Sequence, residues 1–460
     1  MRIRLPVLPA ADVGGAPSAR AHLASAPRNP HVHVFHREHA PHVLIVDGSR
    51  VYAVGPGPLR ALDDAVADPD PLAVPQVLAG FGLLGRPFVD DQPLPPPPLR
   101  VLSLAVAQQC NLACTYCYAQ GGEFGGPARS MPLDIALAAV ERLLHEAAAG
   151  DRVTLAFLGG EPLTNRDVLR AATERAAAGA AAKRVHVGFS ITTNGTLLTP
   201  DDGAFFERHG FAVTVSLDGL GVVHDRQRPF RGQRGSYDRI VENVAPLLAM
   251  QRRMQVSARV TVTPENLCLR ETLDGFLGLG FHSVGFSPML SSPGRHGEMA
   301  ASDLDVMLDQ MIDCGREFER RLVAGRRYPF ANMVTAMKEI HQGTHRPYPC
   351  GAGAGYLGAS ADGDLWACHR FVDDASGAMG SLGAGIDRGR QARWLAERHV
   401  HRQEPCRSCW ARYLCGGGCH HEVIHRGRPA CDYIRGWLHY CLEAYVRLCE
   451  ACPDYFASLA

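Results

Sequence analysis

The sequence predicts an α/β fold, with a parallel sheet covered by helices, a small strand-and-helix unit before it and a cysteine-rich region after it. Three observations lead there. Between residues 100 and 340, six strand-like segments alternate with helical stretches rich in alanine. Those strands read as nearly continuous apolar runs, the pattern of a parallel sheet with both faces covered. Finally, ten of the fifteen cysteines fall into two compact motif regions, one on either side of residue 340.

The elements follow in chain order. Residues 1–29 are Ala-rich but broken by Pro, Gly, Asp and Arg, which spoils a signal-peptide apolar region and predicts a disordered lead-in. Residues 30–92 form the first unit. HVHVFHRE, HVLIVDG and RVYAVG alternate apolar and polar residues, the strand period. Residues 56–66 and 71–84 then read as short helices, which makes the unit winged-helix-like. The histidines at 31, 33, 36, 39 and 42 lie along these strands, and alternation predicts that most of them face solvent. The run QPLPPPPL ends the unit, and residues 93–99 serve as a stiff, extended linker. The six strands of the sheet are expected at 101–107, 153–160, 185–195, 212–219, 256–263 and 282–289, with helices between them such as 132–149. Residues 341–460 hold the second cysteine region and the terminal helices.

Composition narrows the class. Lys plus Arg equals Asp plus Glu at 47 each, so net charge offers nothing to attract nucleic acid. No apolar run approaches the roughly 20 residues that span a bilayer. An odd number of cysteines, clustered in motifs, suits metal or redox chemistry rather than a disulfide framework. That predicts a reducing, cytoplasmic setting.

The densest signal is CNLACTYC, which places Cys110, Cys114 and Cys117 at C-x3-C-x2-C with an aromatic, Tyr116, before the third. Iron–sulfur clusters take Cys thiolates, normally four, so a tight triplet points to a [4Fe–4S] cluster with one open iron. The alternative reading is three buried core thiols. The motif resembles that of the radical S-adenosylmethionine (SAM) enzymes, in which the open iron chelates SAM and a 5′-deoxyadenosyl radical is produced. The resemblance implies that the sheet closes into a partial (βα)6, TIM-like barrel, with the site at the C-terminal ends of its strands.

The remaining strand ends carry matching motifs. Gly159, Gly160, Glu161 and Pro162 end the second strand; Thr192, Thr193, Asn194 and Gly195 the third; Ser216, Leu217, Asp218 and Gly219 the fourth. The resemblance assigns SAM contacts to Tyr116, Gly160, Glu161, Thr193, Asn194, Ser216, Asp218 and Arg228. Within that set Gly160 and Glu161 take the methionine amine, and Ser216 and Arg228 the carboxylate. Arg226 and Arg259 compete with Arg228 for the last role.

The second cysteine region runs Cys350, Cys368, Cys406, Cys409, Cys415, Cys419, Cys431. C-x2-C pairs also suit zinc, but seven thiols exceed one four-ligand zinc and fall short of two. The order resembles the SPASM extension of radical SAM enzymes that act on peptides and proteins. The resemblance implies two auxiliary [4Fe–4S] clusters, one on Cys350, Cys368 and Cys419, the other on Cys406, Cys409, Cys415 and Cys431. The first is then one ligand short, because GTHRPYP before Cys350 has no cysteine where sulfatase-maturating members do. Its fourth position stays open for a substrate thiolate or goes to His345, Tyr348, Cys441, Cys449 or Cys452. Cys268 and Cys314 read as core residues.

Sulfatase-maturating members also place an Asp after the second cysteine of this region, where this chain has His369. The first unit resembles leader-peptide recognition domains. Together these features predict a radical SAM/SPASM maturase that modifies a precursor peptide or small protein, forming a Cys-derived thioether, as in the maturases of quinohemoprotein amine dehydrogenase. The expected reductant is a flavodoxin or ferredoxin. Two alternatives stand beside it. One is a SAM-dependent dehydrogenase of a small molecule or of a Ser or Cys side chain, the sulfatase-maturating type. The other is a cluster-bearing binding protein without turnover.

Overall fold

The computed structural model describes residues 29–37, 40–83, 89–457 and 459, so the expected lead-in lies outside it except for Asn29. The first unit is a three-stranded antiparallel sheet, β1 (Val32–Arg37), β2 (Ala40–Ile45) and β3 (Arg50–Ala53), in the order β1-β2-β3. Val32 faces Ile45, and His42 faces Ala53. One side of this sheet packs Val32, Val43 and Ile45 against Leu62 of helix Pro56–Ala67 and Val74 and Leu78 of helix Ala73–Gly80.

The other side is not open to water. Phe35, Leu44 and Val46 join the main core, and burying each side chain contributes about 2 kcal/mol. His33 is 5% exposed; it stacks on Trp410 at 3.7 Å and hydrogen-bonds through Nε2 to Nδ1 of His439 at 2.9 Å. His42 is buried beside Phe35. The expectation of a solvent-facing histidine row is therefore wrong at these two positions. Strand alternation gives two faces but not what covers them, and here the helix Cys431–Ala451 and the Trp410 turn cover the second. His36 is exposed as expected, and His39 lies outside the described residues.

Six parallel strands follow: β4 (Val101–Gln108), β6 (Arg152–Gly159), β7 (His186–Thr193), β8 (Ala212–Ser216), β9 (Gln255–Val262) and β10 (Val284–Pro288). Hydrogen bonding runs β10-β9-β8-β7-β6-β4, and β5 (Arg129–Ser130) pairs with the end of β4. Helices such as Leu133–His145, Arg166–Lys183 and Tyr237–Met250 cover the outer face. Their apolar stripes meet Leu155, Phe157, Ile191, Val213 and Val215 in one core. The inner face is more polar than the expectation of apolar strands on both faces. Ser190 and Thr192 of β7 line an internal cavity of about 520 Å³, together with Leu158, Tyr356 and His369.

The cysteine-rich region is sewn into this sheet. β11 (Tyr356–Ala359) pairs in parallel with β4, Tyr356 beside Val101 and Ala359 beside Leu104. β12 (Asp364–Trp366), β13 (Ala378–Ser381) and β14 (Gly385–Ile386) continue it as an antiparallel meander. At the far edge, Phe330 bridges to Val284 of β10 and leads into helix Ala331–His341. Among the described residues, no helix is long and apolar enough to cross a membrane.

Candidate active site and cysteine centres

Cys110, Cys114 and Cys117 occupy the loop that leaves the C-terminal end of β4. Backbone contacts fix its course: Ala113 N donates to Pro229 O at 2.9 Å, Thr115 N to Gln227 O at 3.0 Å, and Glu161 N to Gln109 O at 2.8 Å. The last contact requires the glycines before Glu161. A Cβ on Gly160 would lie 2.2 Å from Gln109 O, and Gly159, at φ +146°, would place one 2.2 Å from Ala107 O. Only residues without a side chain let the cysteine loop and the end of β6 approach so closely.

Tyr116 carries the loop into the protein. Its hydroxyl donates to Asp218 and receives Nη1 of Arg228 at 2.7 Å, and Arg228 lies 3.5 Å from Asp218. Asp218 Oδ1 also accepts Thr261 N at 2.8 Å. All three side chains are enclosed (Asp218 1% exposed, Tyr116 5%), so the ion pair is little screened and its parts are fully partnered except for Arg228 Nε. Arg228 thus acts on the triplet through Tyr116. Burial raises the Asp218 pKa, with Arg228 opposing it.

Glu161 is 0% exposed and joins two strand ends. Oε1 accepts Leu163 N at 3.0 Å and Thr193 Oγ1 at 2.8 Å, while Oε2 accepts Asn194 N at 2.7 Å. Asn194 Nδ2 in turn lies 3.6 Å from Cys110 Sγ and 2.9 Å from Asn111 Oδ1. Gly160, Glu161, Thr193 and Asn194 are therefore gathered with the triplet, and Tyr116, Asp218 and Arg228 support it from beneath. Ser216 ends β8 beside Arg259 of β9. Arg226, the other competitor, is exposed on helix Val222–Gln227.

The triplet thiols sense one another. Burial pushes the Cys114 pKa up to about 12, with Arg228 opposing and Cys117 and Cys110 adding to the rise. Three close thiols, none in a disulfide, beside buried Arg228 Nε and Gln227 Nε2 with no partner, form a donor set that fits a cationic iron–sulfur cluster and a polar ligand.

The seven later cysteines separate into the two expected groups. Cys368 is influenced by Cys419 and Cys350; Cys406 by Cys415, Cys431 and Cys409. The second group surrounds a cavity walled by Gly417, Gly418, Arg428 and Arg435. Near the first group, Arg370 Nη1 lies 3.6 Å from Cys419 Sγ and 2.7 Å from Glu422. The candidates for its fourth ligand are engaged elsewhere. His345 accepts Gly48 N at 2.8 Å, Tyr348 donates to Leu395 O at 3.0 Å, and Cys441, 0% exposed, lies by Glu319 and Arg447. Cys449 and Cys452 pack on the terminal helices. Cys314 is a core residue, whereas Cys268 is only half-buried, at the start of helix Leu269–Leu279.

Several residues take places in the site that the sequence reading did not assign them. His369 hydrogen-bonds through Nδ1 to Tyr356 Oη at 2.8 Å, which meets Ser103 Oγ at 3.0 Å. Burial, with Arg370 adding to it, lowers the His369 pKa to about 4, so a neutral imidazole faces the internal cavity. Asp373, at φ +61°, accepts Gln108 Nε2 at 3.1 Å and so brings a carboxylate to the end of β4. Asp374, His421 and His425 converge on the surface, away from the N-terminal histidines. The inward parity of β7 and the place of His369 directly after Cys368 were the available signals for Thr192 and His369. Nothing local marked Tyr356.

Comparison with known proteins agrees with this geometry. Residues 104–276 match the radical SAM superfamily model. The chain is 26% identical over 356 residues to the serine-type anaerobic sulfatase-maturating enzyme of Klebsiella aerogenes, covering 75% of this chain and 85% of that protein. It is 33% identical over 154 residues to the cysteine-type enzyme of Clostridium novyi, covering 32% and 39%. In fold it resembles native anSMEcpe with bound AdoMet at TM-score 0.64 and 18% identity, over 78% of this chain and all of that one. The same protein with AdoMet and the Cp18Cys peptide aligns at 0.63. The triplet loop, the GGEP strand end and most of the parallel sheet that carries them thus fall within the segment that matches the radical SAM superfamily.

Proposed function

We propose that this enzyme is a peptide maturase that joins a substrate cysteine to a carbon of the same peptide as a thioether, a net two-electron oxidation of the substrate balanced by cleavage of one SAM to methionine and 5′-deoxyadenosine with release of a proton. Cys110, Cys114 and Cys117 would hold the radical SAM cluster. Gly160, Glu161, Thr193, Asn194 and Ser216 would hold SAM, and Tyr116, Asp218 and Arg228 would fix the loop. The two later groups would hold auxiliary clusters. Bound there, cluster and SAM supply one-electron cleavage of SAM and abstraction of a substrate hydrogen.

The chain's own residues supply placement. The internal cavity admits the reacting residue, and its polar wall of Ser190, Thr192 and Tyr356 orients it. His369, neutral and tied to Tyr356, offers a proton acceptor beside the three-cysteine group. The observation that carries the thioether reading is the composition of that group: Cys350, Cys368 and Cys419 come together while His345, Tyr348 and Cys441 are held elsewhere.

A second reading, oxidation of a Ser or Cys side chain to an aldehyde, draws on the sulfatase-maturating relatives, which align over most of their length. Asp373 at the end of β4 gives it a carboxylate near the site. One experiment separates the two. The anaerobically reconstituted enzyme is incubated with SAM, dithionite and a panel of Cys-containing peptides, then analysed by mass spectrometry. Loss of two hydrogens with loss of thiol alkylation indicates the thioether. A product that reacts with hydrazides indicates the aldehyde and overturns the first reading.

A further inference from the structure

Among the described residues, Arg259 is a cation without a carboxylate within 4 Å, in the wall of a cavity. Its neighbours along β9, Ala258 and Val260, are 2% and 1% exposed on the helix-covered side. Arg259 points the other way and remains exposed. It opens into a cavity of about 300 Å³ between β10, helix Ala331–His341 and helix Cys431–Ala451. The guanidinium donates to Ser287 Oγ and rests beside Gly285, where a Cβ would lie 3.6 Å from Nη1. Both contacts draw it toward β10 rather than toward Ser216 and the triplet.

The enclosed arginines of the site have carboxylates: Arg228 has Asp218 and Arg370 has Glu422. Among the described residues none lies within 4 Å of Arg259. Glu339 lines the same cavity but is paired with Arg346 at 2.9 Å. An exposed guanidinium in the wall of a cavity presents a fork shaped to take a carboxylate through two parallel hydrogen bonds. Phe286, Leu414 and Trp437 give the rest of the cavity an apolar wall. β10 is also the last strand of the sheet, so the cavity lies at its edge.

Given the peptide-maturase reading above, we infer that Arg259 receives a carboxylate of the substrate peptide, borne by an acidic side chain or by the chain terminus, with an apolar neighbour of that carboxylate against Phe286 and Trp437. Arg259 is then a specificity residue that fixes the peptide's register without touching the reacting atoms.

The test is equilibrium binding, by calorimetry, to the reconstituted full-length enzyme with SAM present. The probes are N-acetyl-Gly-Leu-Phe as the free acid, the same tripeptide as its C-terminal amide, and N-acetyl-Asp-Leu-Phe amide. A carboxylate probe should bind about ten-fold more tightly than the neutral amide, and whichever carboxylate gains identifies the source. Arg259→Gln should abolish that preference. Arg259→Lys should keep only a small part of it, because an ammonium cannot form the paired contact. SAM affinity should stay within about two-fold in both variants. Equal binding of acid and amide by the wild-type enzyme would overturn the inference. So would weakened SAM binding in either variant with the probe preference intact, which would assign Arg259 to the SAM site. The maturase reading fails independently, if no peptide is converted while the Arg259-dependent preference persists.

Discussion

The two cysteine regions are built by opposite means. The triplet rests on the ends of regular strands, with backbone hydrogen bonds from its loop to Gln227, Pro229 and Glu161 and a buried Tyr116–Asp218–Arg228 cluster beneath it. Cys406, Cys409, Cys415 and Cys431 ride on a short turn (Cys406–Ser408), a four-residue helix (Arg412–Cys415) and the first residue of a long helix. Between them Gly416, Gly417 and Gly418 all have φ between 72° and 98°, a path that only glycine follows without strain. The comparison teaches that the first group is held by strand ends and a buried side-chain cluster, whereas the second is held by short turns and a run of glycines.

Removing metal should open the widest gap between them. In protein stripped by a chelator, hydrogen exchange should show amide protection near residues 406–431 falling close to zero, while β4 to β9 remain protected. Equal loss in both would break the comparison. Substituting Cys110, Cys114 and Cys117 by Ala should abolish 5′-deoxyadenosine formation and lower iron from about twelve to about eight per chain, leaving the unfolding midpoint nearly unchanged.

Smaller effects sharpen the account of the triplet. Gly160→Ala forces the β6 end away from Gln109 and should destabilise the barrel by about 2–3 kcal/mol, measured by urea unfolding. Tyr116→Phe removes the hydroxyl between Asp218 and Arg228 and should cost about 1–2 kcal/mol, with weaker SAM binding. Asp202 anchors helix Pro200–His209 through Arg166 and Arg170 at 2.8 and 2.9 Å and through Thr199. Burial alone would raise its pKa, but these hydrogen bonds overcome it and hold it below the usual range. Its contribution is therefore complete above the ordinary carboxylate pKa near 4 and fades as pH falls through the depressed value. Asp202→Asn should cost about 1 kcal/mol at pH 7, since both arginines are a third exposed and screened. The difference should vanish in acid.

Local signals were legible in the sequence. The strand periods located β1 to β4 and β6 to β10, and the resemblance carried by the cysteine order anticipated which motif thiols lie near one another. Long-range pairings were not legible. β11 is four residues, YLGA, with no alternation to mark it, and its partner Val101 lies some 250 residues earlier. The covering of His33 by Trp410 spans a still longer stretch of chain. Tyr116 could be singled out from its place in the motif, but its hydroxyl's partners lie beyond the reach of spacing. Arg259 could be named only as a competitor, because the sequence does not say which way its guanidinium turns.

The pairing of β11 with β4 has a practical consequence for engineering. Cys350 and Cys368 flank a ribbon that is itself a continuation of the barrel, so the distance between the two chemistries is set by sheet geometry rather than by a hinge. A chimera that exchanges the C-terminal module between related enzymes must therefore cut through a hydrogen-bonded ladder. Grafts should succeed when β4 and β11 come from the same parent, and a junction between them should yield a protein that holds iron but has lost its alignment.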